Sequence, residues 1–514
     1  MKLKYFSFFI IILMVTSGCG GDKINYPEPS TQKTDGAFVS KAGTVKIDSI
    51  EYAADFGTIT VSENRNKITS QLIHLPFIRV HSLSKNPREP IFVLNGGPGG
   101  SNMRWDWGIM WDLLSEHDIV AVGYRGADGS TVLDCPEVTQ ALKGDGDLLG
   151  KESLKTIGRA WSASAHRLTT QGIDLDGYTM LEVIEDNESV RKVLGYDRID
   201  LISGSYGTRV AYLYGLKHPE SISRSAMIAV NPPGHFVWDP KMIDDQLKYY
   251  SNLWAKDSIM SLRSKNLYAT MQTVLNNMSH NWLLFPIDPG KVKVATFCLL
   301  FQRSTSAMAF DAFVAAEQGD PSGLALMSLA YDYIPMPNCG DLASKAVSAD
   351  FDSTRNYCLD MEPSGMPLGS PLSKVYWGSL SYGRWPMQLL PEEYRKPLQS
   401  GVETLLMSGS IDFSTPAEFA TKELLPYLKN GKQVILSECG HIGDVLNVNP
   451  ENTMRIITSF YNTGVADTSL NAYIPMDFNV SWRFPFIAKA ALGTLVFLGI
   501  VLVGVIVWLV RKVW

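Results

Sequence analysis

Long basic runs are absent from this chain of 514 residues: no cluster of five or more Lys or Arg occurs, and 46 basic against 52 acidic residues leave a formal net charge of −6. A protein that condenses on a polyanion needs a basic stripe, so nucleic acid is not expected as a partner. Cysteine is scarce, six residues in all. Cys19 falls near the N-terminus, leaving Cys135, Cys298, Cys339, Cys358 and Cys439, and five thiols cannot all pair. Cys339 and Cys358 are nearest in sequence, but connectivity is not readable from the chain. Neither Cys-x-x-Cys nor His-Glu-x-x-His spacing occurs, so no metal site is expected. Gly-Lys-Ser/Thr and Gly-x-Gly-x-x-Gly are also missing, which argues against a phosphate cradle, and no cofactor is expected. Histidine is limited to eight residues, of which only His441 follows His280.

What is present is an abrupt break in an apolar run. Ile199-Asp-Leu-Ile-Ser-Gly-Ser-Tyr-Gly-Thr-Arg209 has the pattern of a strand ending at Ser205, with small residues at 203 and 207 and a helix-like pattern beyond. A serine at the tip of a tight strand-to-helix turn leaves room only for small neighbours two positions either side. Such a nucleophile requires a base and an orienting acid, which follow in the order Ser, Asp or Glu, His when the turn belongs to a wound α/β sheet. Thr404-Leu-Leu-Met-Ser-Gly-Ser-Ile-Asp412 and Val434-Ile-Leu-Ser-Glu-Cys-Gly-His441 are two further short runs that break at a glycine and put Asp412 and His441 on the following loops. Asp412 alone could cap a helix starting near Thr415. His218 and His235 come too soon after the turn, and Glu438 and Asp444 lie beside the histidine. The expected triad is Ser205, Asp412 and His441.

Acyl transfer also needs N–H donors for an oxyanion. The amide of Tyr206 is one candidate. Ile91-Phe-Val-Leu-Asn-Gly-Gly-Pro-Gly-Gly-Ser101 supplies the other from a bare glycine loop after a strand. Gly97 is the expected donor, Pro98 has no N–H, and Gly99 is the fallback.

Asn95-Gly-Gly-Pro-Gly-Gly-Ser101, Tyr124-Arg-Gly-Ala-Asp-Gly-Ser130, Ser203-Gly-Ser-Tyr-Gly-Thr208, Gly409-Ser-Ile-Asp-Phe-Ser-Thr-Pro416 and Gly440-His441 together resemble the proline iminopeptidase and tripeptidyl aminopeptidase family of α/β-hydrolases, from about Pro90 to Gly464. That resemblance implies an α/β-hydrolase fold, a mostly parallel sheet flanked by helices with an inserted helical cap. It also implies a serine exopeptidase that takes peptides with a free N-terminus. Asn95 stands where many members have His, and Ser203 where most have Gly. The region around Arg384-Trp-Pro386 lacks a cysteine common in tripeptidyl members. An esterase using the same triad, or a non-catalytic binding protein on a hydrolase scaffold, are the alternatives.

Both ends carry membrane signals. Met1-Lys-Leu-Lys4, the apolar run to Val15 and small residues to Gly18 read as a signal peptide, 1–18. Thr16-Ser-Gly-Cys19 resembles a lipobox with Thr16 in place of the usual Leu, so Cys19 is a candidate for lipidation, with plain cleavage near Gly18 the alternative. From Ala490 to Val510 no charged residue occurs, enough apolar helix to cross a bilayer. Export to a bacterial cell envelope with a membrane anchor and the catalytic region outside the cytoplasm follows. The expected organisation is a tether over 19–40, a first core part over 41–233, a helical cap over 234–400, a second core part over 401–466 and a transmembrane helix over 490–510. Substrate-binding residues are not identified. A cap carboxylate holding a substrate ammonium would come from Glu317, Asp320, Asp332 or Asp341.

Overall fold

The computed structural model describes residues 25–47, 49–104, 108 and 110–513. The proposed signal peptide and Cys19 lie outside them, as does the start of the tether. Three antiparallel strands open the chain, β1 (Phe38–Ile47), β2 (Ile50–Ser62) and β3 (Leu72–Val80), followed by β4 (Ile91–Leu94), β5 (Ile119–Val122), β6 (Ile199–Gly204) and β7 (Ile222–Ile228). A short hairpin, β8 (Asn281–Trp282) and β9 (Phe285–Pro286), stands apart, and β10 (Glu403–Gly409) and β11 (Gly431–Leu436) complete a nine-stranded sheet in the order β1-β2-β3-β5-β4-β6-β7-β10-β11. From β5 to β11 every neighbour is parallel. β4, β5 and β6 are buried along their whole length, as apolar runs covered on both faces should be.

The helices that matter for the site are α1 (Met180–Val193), α2 (Tyr206–Lys217), α3 (Pro289–Leu299), α4 (Arg303–Glu317), α5 (Ser322–Tyr331), α6 (Pro450–Thr463) and α7 (Phe484–Val513). Between β7 and β10 the chain is helical apart from the hairpin, whose two-residue strands are too short to show alternation in the sequence and are joined by stacked Trp282 and Phe285 rings 5.8 Å apart. This region is tied to α2 by Arg209, a fully buried guanidinium paired with Asp350 at 3.2 Å and bonded to the Asn231 side chain at 3.1 Å.

α7 begins six residues before the expected span. Its first turns pack on the inserted helices: Lys489 pairs with Asp320 at 2.6 Å, and a Cβ added at Gly323 would meet Pro485 at 3.0 Å. Phe484–Lys512 is long and apolar enough to be a candidate membrane span, with a mean hydropathy of 2.8 over its most apolar window. All five described cysteines are free thiols, so Cys339 and Cys358 are not joined. Cys439 is a buried thiol pushed up to about 11 by its burial.

Candidate active site

The site forms where β4, β6 and β10 and the loop after β11 end together. Ser205 links β6 to α2 with φ 49° and ψ −120°, a conformation that costs a non-glycine residue energy and recurs at catalytic turns. The turn closes because its neighbours are small. A Cβ at Gly207 would lie 2.0 Å from the Leu94 carbonyl oxygen, so no side chain fits there. Ser203, the departure from glycine, is fully buried, and its hydroxyl donates to the Ala226 carbonyl at 3.3 Å. The N-terminus of α2 points the positive end of its dipole at the serine. Ser205 is part-exposed, and its hydroxyl makes no hydrogen bond among the described residues.

Asp412 divides its two oxygens between two tasks. Oδ1 accepts from the amides of Ser414 at 2.9 Å and Thr415 at 3.1 Å, the turn-capping role its position suggests. Oδ2 lies 2.7 Å from Nδ1 of His441 and accepts the Thr415 hydroxyl at 2.6 Å. This carboxylate is buried, and the contact fixes which imidazole nitrogen faces it, leaving Nε2 for proton transfer. The His441 loop is held in turn: its amide donates to the Phe301 carbonyl at 2.8 Å, its ring meets Phe301 edge-on at 5.1 Å, and Asp444 accepts from Gly440 N and Arg303 N, both at 2.8 Å. Asp444 therefore supports the backbone beside the histidine, and burial raises its carboxyl above the usual range. Glu438 is occupied by Tyr473 and the Met476 amide. His218 is paired with Glu185, and His235 with Glu423.

A small cavity of about 40 Å³ sits over Ser205, walled by Pro98, Phe236, Trp238, Leu342, Trp377 and Thr415 among others. Thr415 thus touches both the cavity that contains the serine and the Asp412–His441 pair. It was not singled out from sequence, although its place three residues after Asp412 is the spacing of a carboxylate-closed turn.

The glycine loop is sorted by its hydrogen bonds. Gly97 has φ 68°, Gly99 has φ 85°, and both need glycine's freedom. The Gly99 amide donates to Asp341 Oδ2 at 3.0 Å and is thereby used, whereas the Gly97 amide has no acceptor among the described residues. Two further residues shape this loop. Asn102, fully buried, donates to the Val93 and Val122 carbonyls at 2.9 and 2.8 Å, and its side-chain oxygen accepts from Asn95 N at 2.8 Å. Asp128 accepts from Ser101 Oγ at 2.5 Å, Asn102 N at 2.9 Å and Tyr124 N at 2.8 Å.

None of the four cap carboxylates lines the cavity over Ser205. Glu317 accepts from Thr270 Oγ1, Asp320 pairs with Lys489, Asp332 with Lys291, and Asp341 with Lys345.

Residues 89–257 match the family described as the alpha/beta hydrolase fold, a stretch that contains the glycine loop and Ser205. Tripeptidyl aminopeptidases of Streptomyces lividans and Streptomyces coelicolor are each 24% identical over 233 residues, covering 41% of this chain and 43% of the relative, so the match spans less than half the length of either. A putative hydrolase of Escherichia coli is 27% identical over 156 residues, covering 29% of this chain and 30% of that one. Among solved structures, a meta-cleavage product hydrolase of Pseudomonas fluorescens is 13% identical, covering 76% of this chain and 95% of that chain at a TM-score of 0.37. The parallel sheet, the strained serine turn at the end of β6 and the family match give this chain the α/β-hydrolase fold.

Proposed function

We propose that the protein is a membrane-anchored serine hydrolase that releases residues from the free N-terminus of peptides through an acyl-enzyme. The observation that carries the chemistry is the strained Ser205 turn sharing a cavity wall with Thr415, which is bonded to the Asp412–His441 pair. In this reading Ser205 Oγ attacks the scissile carbonyl while His441 Nε2 takes its proton and then returns it to the leaving amine. Asp412 holds the imidazole in the required tautomer and stabilises its charged form. The amides of Tyr206 and Gly97 receive the developing oxyanion, and one such donor is worth about 3 kcal/mol. Water activated by His441 then hydrolyses the ester on Ser205 and frees the enzyme. Since a cavity of about 40 Å³ has room for about one water, substrate enters only when segments over it move. The similarity to tripeptidyl aminopeptidases supports a peptide as substrate, and the apolar C-terminal helix supports anchoring.

A second reading, hydrolysis of an ester or another small acyl compound, is favoured by one observation. No carboxylate lines the cavity among the described residues, and three of the four candidates, Asp320, Asp332 and Asp341, are ion-paired elsewhere. Acetylating the N-terminus of a chromogenic peptide separates the two. An aminopeptidase loses that substrate and keeps the free-amine form, whereas an acyl hydrolase without ammonium recognition treats both alike.

A further inference from the structure

Asp341 fails as an ammonium site because it is already occupied, and what occupies it gives it a different role. Both Asp341 and Lys345 are buried, at 1% and 0% side-chain exposure, and Lys345 Nζ lies 2.5 Å from Asp341 Oδ1. The other carboxylate oxygen accepts the Gly99 amide at 3.0 Å. Three residues before Asp341, Asn338 N donates to the Gly99 carbonyl at 2.9 Å, and Asn338 Nδ2 donates to the Gly126 carbonyl at 2.8 Å. Lys345 Nζ also donates to the Arg125 carbonyl at 2.7 Å. Arg125 is itself immobilised, paired with Asp186 at 2.6 Å and bonded to the Glu63 and Gly177 carbonyls. The inserted segment 338–345 therefore grips the glycine loop after β4 and the loop after β5 at once.

The fit is close. A Cβ at Gly99 would come within 2.6 Å of the Asn338 carbonyl oxygen, and one at Gly126 within 2.7 Å of Asp341 Oδ1. The backbone of the segment is irregular as well, since Ala343–Val347 forms a π-helical turn, a geometry frequent at functional sites. The same segment contributes Leu342 and Ala346 to the wall of the cavity over Ser205. A single stretch of chain thus contacts the space where substrate binds and holds, by the amide of Gly99, the loop whose Gly97 amide is unclaimed.

We infer that Asp341, neutralised by Lys345, is a positioning residue that fixes the Gly97–Gly99 loop in its donor geometry, so that the oxyanion site is complete only while the inserted segment 338–346 is docked. This rests on the reading of Gly97 as an oxyanion donor. Donor placement matters steeply, because an error of about 1 Å in a reacting geometry costs on the order of 100-fold in rate. It also gives the cap a task besides selecting substrates: a cap lifted by an entering chain leaves the loop unsupported, and its return restores the catalytic geometry over a correctly seated ligand.

Two neutral double variants of the full-length protein separate this role from a purely structural one. Asp341→Asn with Lys345→Met removes both charges and keeps an oxygen that can accept from Gly99. Asp341→Leu with Lys345→Met removes both charges and the acceptor. Replacing a buried ion pair by apolar side chains of similar volume is often tolerated, so similar melting temperatures are expected. Per active site titrated with a fluorophosphonate, the leucine variant is expected to lose about 10- to 100-fold in kcat with KM within about twofold, and the asparagine variant to stay within about threefold of the unaltered protein. Equal kcat in the two variants, or a loss confined to KM, overturns the inference. Should the leucine form not fold, Asp341→Ala with Lys345→Met provides the same contrast with a cavity in place of a branched side chain. Failure of the unaltered protein to react with the fluorophosphonate at Ser205 would instead remove the serine-hydrolase reading itself.

Discussion

Asp412 shows how one side chain reconciles two sequence readings. Its position after a glycine and three residues before Thr415 suits a capping carboxylate, and its position in the order Ser, Asp, His suits an orienting acid; the two oxygens do one each. Asp412→Asn should lower kcat by about 10⁴-fold, since an amide imposes the wrong imidazole tautomer, and Ser205→Ala should abolish turnover of any acyl substrate. Thr415→Val removes the hydroxyl that donates to Asp412 Oδ2. A hydrogen bond to a charged group contributes about 1.5 kcal/mol or more to stability, so the melting temperature should fall by a few degrees, and kcat should fall as well because Asp412 Oδ2 loses a partner that helps hold it against His441. Steady-state rates on a chromogenic substrate check all three. At this scale the sequence carried the residues that lie at strand ends, because a break in an apolar run is local. Thr415, Asn102 and Asp341 act through bonds to partners brought near only by folding, and a polar residue in a loop has no pattern that announces such a partner.

The elements were legible where one rule decides them. α2 occupies Tyr206–Lys217 as the small-residue turn and apolar spacing require, β4 and β5 coincide with fully apolar runs to within a residue or two, and β6 follows a run interrupted by Asp200. β7 begins at Ile222, four residues before its apolar run at Ala226–Val230, because Arg224 is satisfied inside the sheet's lower rim. Its amide donates to Asp200 at 2.9 Å, and its guanidinium pairs with Glu403 at 2.7 Å. Asp200 sits at that rim with one oxygen lacking a partner among the described residues, and burial, aided by Glu89, raises its carboxyl to about 8. An unfolded chain releases that proton near pH 4, so the folded state binds it more tightly. The resulting stability is present below about pH 4 and lost as pH rises to about 8. Asp200→Asn should therefore raise the melting temperature by several degrees at pH 8 and change it little at pH 4, as thermal scans across pH will reveal. Gly207→Ala, with no space within 2.0 Å of the Leu94 carbonyl, should prevent formation of the turn and yield protein that does not bind a serine-directed probe.

At the scale of the molecule, the C-terminal helix has two halves with different surroundings. From Phe484 to Lys489 it packs on α5, and Lys489 and Arg483, which blur the charge bias around the apolar run, are partnered by Asp320 and Asp311. Beyond Lys489 the apolar side chains are mostly exposed, as a lipid-facing helix requires. The sequence revealed the apolar length and not the docking, because packing against α5 is a tertiary contact between segments about 160 residues apart. A chain ending at Lys489 and carrying Cys19→Ala should leave the membrane fraction with its hydrolytic rate and melting temperature nearly unchanged, whereas one ending at Asn479 should lose stability by uncovering the apolar face of α5; fractionation and thermal unfolding distinguish the two. Persistence of the Lys489-terminated chain in membranes would contradict anchoring by this helix. The most direct measurement of the central claim is mass mapping of the full-length protein after reaction with a fluorophosphonate. The account predicts one adduct per chain, on Ser205, strongly suppressed by His441→Ala; an active protein left unmodified at Ser205 would contradict it.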